Sequence, residues 1–161
     1  MGSGKSYWGK RWSEAFDLPL IDLDAEIEKF AGMSIPEIFK QKGERYFRKI
    51  ERKVLHRFFS EDNYIMSCGG GTPCYFDNMR SMNRYGITIY LKSTPEMLAE
   101  RLRDEKATRP LIKDIADTDL VGFIEQKLEA RKTDYAQSIY HLETQYLTND
   151  NFERIIRRHG S

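Results

Sequence analysis

Only two cysteines occur in 161 residues, Cys68 and Cys74, and none of the three histidines clusters beside them. That spacing matches no zinc site and is too sparse for a disulfide scaffold, so reduced thiols in a cytoplasmic protein without a signal peptide are expected. Charge of one sign is lacking too. The 26 basic and 25 acidic residues leave a formal charge of +1, so no global field favours nucleic acid or an acidic membrane. Long apolar runs are absent, which excludes a spanning helix of the usual kind. Nothing is repeated or of low complexity. The chain reads as one globular domain, large enough for a real core.

What is present begins at the first residue. Met1-Gly2-Ser3-Gly4-Lys5-Ser6 reads as the second half of G-x-x-x-x-G-K-[ST]. Small residues there let consecutive backbone N–H groups curl around phosphate oxygens, and the following helix aims its positive end at the same anion. Lys5 would reach the β- and γ-phosphates, and the Ser6 hydroxyl would ligate Mg²⁺. The plainer alternative is a Gly-Ser-rich start with no function.

Apolar and amphipathic segments then alternate, as in an α/β fold with parallel strands. A helix is expected over about 5–16 and a strand over 18–23, ending in Asp22-Leu23-Asp24. Ser34-Ile35-Pro36-Glu37 has the pattern of a capping box. The short helix it opens should stop near Gly43, before a longer one carrying Phe47, Ile50, Val54 and Phe58. Strands are expected over 64–68, running into Gly69-Gly70-Gly71, over 87–91, and over 140–147. Helices should follow Pro95, run through Val121, Ile124 and Leu128, and begin at an Asn151 cap. The stretch 105–118 has no clear period and reads as a mobile flap. The strand that should lead into the phosphate loop is missing from this chain.

Several residues carry potential chemistry. Asp22 and Asp24 point the same way if the strand stays extended, at the edge where doubly wound sheets bind ligands. One carboxylate could hold Mg²⁺ through water while the other orients or deprotonates a hydroxyl; solvated acids capping a turn or helix are the alternative. Arg48 and Glu51 have helical spacing beside the apolar stripe. Arg131 follows Leu128 where that stripe calls for another apolar residue. Such an arginine either snorkels to solvent or faces an anion in a cleft, and both readings stay open. Gly69-Gly70-Gly71 permits close backbone approach to a ligand, or is simply a flexible turn. Arg109-Pro110-Leu111 could bring positive charge onto a transferred phosphate, or lie in a solvated loop.

Taken together, these residues resemble the shikimate kinase family over nearly the whole chain. They are Gly2-Ser3-Gly4-Lys5-Ser6, Asp22-Leu23-Asp24, Phe47-Arg48-Lys49-Ile50-Glu51, Gly69-Gly70-Gly71, Arg109-Pro110-Leu111, and Arg131 followed by Tyr135. The resemblance implies a nucleoside monophosphate kinase-like α/β fold over 1–161. That fold has a parallel sheet flanked by helices, substrate-binding helices at about 32–60 and a lid at about 105–118, here without its first central strand. It implies ATP- and Mg²⁺-dependent phosphorylation of the shikimate 3-hydroxyl, in aromatic amino acid synthesis. Lys5 then holds phosphates with Gly2, Ser3, Gly4, Ser6 and Tyr7, Tyr7 standing where Ser or Thr is usual. Ser6 and Asp22 serve the metal, and Asp24 is the base and hydroxyl ligand. Arg48 and Arg131 grip the shikimate carboxylate, with Gly70 and Gly71 lending backbone contacts and Phe39 and Phe47 lining the pocket. Arg109 is the lid arginine and Arg101 an adenine-side contact.

The resemblance further implies a cytoplasmic monomer without nucleic-acid or membrane partners. Because the family has an apolar strand and a glycine ahead of this Met1, an internal methionine taken as the start, or a truncation, is expected. Two alternatives accompany the kinase reading. One is a related small-molecule kinase such as a gluconate kinase. The other is a degenerate kinase-like protein that binds a ligand or partner without phosphoryl transfer.

Overall fold

A computed structural model describes residues 2–105 and 112–159. The phosphate-loop segment turns through Gly2 and Gly4, whose φ angles of 67° and 79° lie in the region glycine adopts without strain. Helix α1, Lys5–Phe16, starts immediately after Gly4. It stops at Asp17, which is left-handed with φ 52°, a conformation aspartate tolerates better than most residues.

Strand β1, Leu20–Asp22, is shorter than the sequence pattern predicts, because Asp22 caps a helix that the pattern did not reveal. This helix, α2, spans Leu23–Ala31, and the Asp22 carboxylate accepts from the backbone N–H groups of Asp24 (3.0 Å) and Ala25 (3.2 Å). Asp24 is therefore in a first helical turn, not on an extended strand. The capping box at the next helix is present. The Glu37 carboxylate accepts from the Ser34 backbone N–H at 2.8 Å, opening α3, Ile35–Arg57. Gly43 breaks α3 with φ 78° and ψ 170°, so the expected stop appears as a kink between two helical segments.

The chain continues through β2 (Ile65–Ser67), α4 (Asn78–Tyr85), β3 (Ile89–Lys92), α5 (Pro95–Glu105), α6 (Leu120–Glu129), α7 (Lys132–Tyr135), β4 (Tyr140–Glu143) and α8 (Asn149–His159). The last helix starts two residues before the predicted cap. Asn151 lies inside it and accepts from the Thr148 N–H at 2.8 Å. Arg131 also differs from expectation: α6 ends at Glu129, so Arg131 is not on the apolar stripe but at the junction leading into α7.

The strands form two parallel pairs, β1 with β2 and β3 with β4, and no described strand joins them. Three apolar clusters hold the helices around these pairs. Leu23, Ile27, Ile38, Phe47, Ile50, Val54 and Leu55 bind α2 to α3. Leu98, Ala99, Leu102, Leu120 and Ile124 bind α5 to α6, and Ile112, from the predicted flap, is fully buried among them. Trp12, Leu147 and Phe152 form the third, with the Trp12 and Phe152 rings stacked 4.5 Å apart. The third cluster receives Ile65 from one strand pair and Ile89, Leu91 and Leu142 from the other, so it bridges both. Each fully buried aliphatic side chain contributes about 1.5–3 kcal/mol. Among the described residues, no helix is long and apolar enough to cross a membrane.

Candidate active site

Parallel pairing places the ends of β1 and β2 together, with Asp22 opposite Ser67. Both strands run directly into functional segments: β1 into the Asp22–Asp24 cap, β2 into Cys68 and the triple glycine. A Cβ built on Gly69 would lie 3.3 Å from Thr72 Oγ1, 3.5 Å from Asp24 Oδ1 and 3.9 Å from Glu51 Oε1. The turn thus gathers residues from β1–α2, α3 and β2 around a few ångströms of backbone.

Asp24 is half-buried, and its pKa is raised. Burial is the main cause; Lys5 opposes it, and the negative charges of Asp22, Glu51 and Glu28 add to it. The same cluster acts on Cys68, whose thiol is pushed up to about 12, first by burial and then by Glu51. Cys74 is pushed up to about 11, mainly by burial. Both cysteines are therefore protonated thiols at neutral pH and poor nucleophiles.

Arg48 lies against the same turn at Gly71. Its Nη1 donates to Glu51 Oε2 at 2.9 Å, and its guanidinium lies 4.0 Å from the Tyr75 ring and 4.9 Å from the Phe47 ring. Glu51 is only 1% exposed. It is held from behind by the Thr72 hydroxyl, which donates to Oε1 at 2.8 Å; the Thr72 carbonyl in turn accepts from Asn78 Nδ2 at 2.9 Å. Phe39 packs on Phe47 with centroids 4.7 Å apart, extending this wall outward.

Arg131 approaches from the C-terminal side. Its Nη1 donates to the Tyr135 hydroxyl at 3.5 Å, and that hydroxyl donates to the Gly70 carbonyl at 2.6 Å. Arg48 at Gly71 and Arg131, through Tyr135, at Gly70 thus meet the same glycine turn although 83 positions separate them in sequence (131 − 48).

At the loop, Arg101 Nη1 donates to the Gly2 carbonyl at 3.3 Å and lies 3.9 Å from a Cβ built on Gly4. Ser3 and Lys5 are half-buried and Ser6 is exposed at the start of α1. Tyr7 points to solvent, its hydroxyl accepting from Arg11 at 3.2 Å. Arg109 lies outside the described residues. No group of three or more His, Cys, Asp or Glu side chains among the described residues is placed to hold a metal ion. A Mg²⁺ ion carried by phosphates needs no such cage, since one or two oxygen ligands with water suffice. Oxygen groups of that kind are the Ser6 hydroxyl, exposed at the start of α1, and the Asp22 carboxylate, whose Oδ1 alone takes both capping N–H groups.

Sequence reasoning missed Glu44, Thr72 and Tyr75, which surround Arg48 and Glu51. Glu44 stands one helical turn before Arg48, a spacing that could have revealed it. Thr72 and Tyr75 come from another element, and no local pattern points to them.

A family model described as shikimate kinase matches residues 1–159. The chain is 41% identical over 140 residues to a shikimate kinase of Bacteroides thetaiotaomicron, covering 87% of this chain and 80% of that one. It superposes on the crystal structure of shikimate kinase from Bacteroides thetaiotaomicron with TM-score 0.90 and 36% identity, covering 100% of this chain and 94% of the other. Shikimate kinase from Acinetobacter baumannii in complex with shikimate gives TM-score 0.82 and 28% identity, over 98% and 87% of the two chains.

Proposed function

The chain belongs to the shikimate kinase family, and from that premise we infer that it transfers the γ-phosphoryl group of ATP to the 3-hydroxyl of shikimate. The observation that carries this reading is the meeting of opposite environments at the Gly69–Gly71 turn. Asp24, a carboxylate with a raised pKa, lies at Gly69, while Arg48 lies against Gly71 and Arg131 reaches the Gly70 carbonyl through the Tyr135 hydroxyl. That arrangement suits a small ring acid that must be held by its carboxylate and deprotonated at a hydroxyl.

Each residue has a role in this reading. Lys5 and the backbone amides of Gly2, Ser3, Gly4 and Ser6 take the phosphate oxygens, aided by the N-terminal end of α1. Arg101 holds the loop through the Gly2 carbonyl on the nucleotide side, and Tyr7 borders the same end of α1. Ser6 and Asp22 would hold Mg²⁺, which supplies charge neutralisation on the phosphates.

Arg48 and Arg131 fork the substrate carboxylate, Gly70 and Gly71 offer backbone contacts, and Phe39 and Phe47 wall the ring. Asp24 accepts the 3-hydroxyl proton as that oxygen bonds to the γ-phosphorus and the bond to the β-phosphate oxygen breaks, releasing ADP. A pKa raised by burial makes Asp24 a stronger proton acceptor than an ordinary aspartate. We assign Arg109 to the transferred phosphoryl group, within a lid at about 105–118, and the substrate helices to about 32–60, in a monomer.

A coupled assay of ADP release with shikimate and ATP–Mg²⁺ tests the reading. ADP should appear only when shikimate is present. No shikimate-dependent release from folded protein would reject it.

A further inference from the structure

Arg48 already holds a second carboxylate. Its Nε and Nη2 donate to Glu44 Oε1, at 3.3 and 3.2 Å, while Nη1 is taken by Glu51. The two partners differ in kind. Glu51 is buried and anchored by Thr72, part of the frame. Glu44 is exposed, and its other contact is the Tyr75 hydroxyl, which donates to the same Oε1 at 2.7 Å. It directly follows the break at Gly43, so it heads the second segment of α3 rather than sitting within a continuous helix.

The Nε–Nη2 edge of a guanidinium is a two-donor fork suited to a carboxylate. We propose that Glu44 is an internal placeholder, occupying the Nε–Nη2 edge of Arg48 and competing there with the carboxylate of the incoming substrate. The proposal rests on the reading of Arg48 as the substrate's carboxylate anchor. Two carboxylates forced onto one edge repel each other, so the substrate binds as Glu44 leaves. Glu51 already balances the Arg48 charge, so in the empty site the placeholder's part is to satisfy and orient the remaining Nε and Nη2 donors of a half-buried guanidinium. The consequence is a weaker apparent affinity, because the intrinsic dissociation constant is divided by the fraction of molecules with the edge open. The Tyr75 hydroxyl is the main cause that holds the Glu44 carboxyl below the usual range, with Arg48 adding to it, so Glu44 is anionic at neutral pH. A ligand without an anionic group has nothing to exchange for Glu44 and meets a closed edge.

Glu44→Gln tests this, since it keeps the shape and removes the charge at an exposed position. Calorimetric titration with shikimate should give a Kd lower than wild type by about two- to fivefold, the range expected for loss of one exposed ion pair. The gain should appear in the shikimate KM rather than in kcat. A neutral carboxamide analogue of shikimate should not share it. Unchanged or weaker shikimate binding in Glu44→Gln overturns the placeholder. Arg48→Ala separates the two levels of inference: if it binds shikimate as tightly as wild type, the anchor reading itself fails. If it binds weakly and Glu44→Gln shows no gain, only the placeholder fails.

Discussion

The Arg48 guanidinium lies so close to Gly71 that a Cβ on the glycine would stand 2.7 Å from Nη2 and 3.0 Å from Nη1. Gly71 has φ −90° and ψ −20°, an ordinary helical conformation, so its glycine is required by space and not by backbone strain. A flexible arginine tip could usually move aside. Here it is pinned by Glu51 and Glu44 and covered by the Tyr75 ring.

Gly71→Ala should therefore act on Arg48 rather than on the fold. A shift of about 1 Å in a positioning group can cost up to about 100-fold, and we expect a rise of about tenfold or more in the shikimate KM. The ATP KM and the melting temperature should stay close to wild type. Parallel kinetics against both substrates, with a thermal melt, check this; an equal rise in both KM values would point to general disruption instead.

Asp24 should trade stability for function. Its pKa is raised above the ordinary value of 3.8, chiefly by burial. A raised carboxylate contributes stability that is fully present below the unfolded pKa and is lost as pH rises through the folded one. At neutral pH the folded protein thus carries the cost of an ionised, half-buried group. Asp24→Asn should lower kcat by about 10²–10⁴ while raising the melting temperature at pH 7, and that gain should shrink as pH falls toward 4. The acid limb of the wild-type kcat/KM profile should lie above the range of an ordinary aspartate. Melts across pH and a pH–rate series test both halves; a lower melting temperature for Asp24→Asn at pH 7 would contradict the assignment.

Glu51 joins Arg48 to Thr72 and is the most deeply buried charge at the site. Glu51→Ala leaves Arg48 without its inner partner and Thr72 without its acceptor. Breaking a buried pair costs about 3–5 kcal/mol. The lower end, about 3 kcal/mol, is expected because Glu44 still pairs with Arg48. Urea denaturation gives the loss, and the shikimate KM should rise alongside it. A stable variant with normal KM would show that Arg48 does not depend on Glu51.

Single segments announced the phosphate loop, the Ser34–Glu37 capping box and the stop at Gly43, because each depends on contacts only a few residues apart. For Asp22 and Asp24 the sequence pattern predicts an extended strand with both carboxylates facing one way, whereas Asp24 lies in the first turn of α2. A carboxylate one residue before a helix captures the N–H groups ahead of it, and this local bond overrode the extended pattern. Arg131 likewise continues the apolar spacing of Val121, Ile124 and Leu128, but the helix that carries them ends at Glu129. Arg131 meets the glycine turn through the Tyr135 hydroxyl, which donates to the Gly70 carbonyl 65 positions before Tyr135.

Residue order alone pointed to a phosphate-loop start, to the arginines without obvious apolar roles and to the glycine turn, since signals of this kind are carried by residue type and short spacing. Folding settled which groups face one another. Glu44, Glu51, Thr72 and Tyr75 meet around Arg48 because the packing of α2 on α3 brings α3 to the turn after β2. Contacts between elements so far apart in the chain depend on which apolar surfaces bury together, and no short stretch of sequence encodes that.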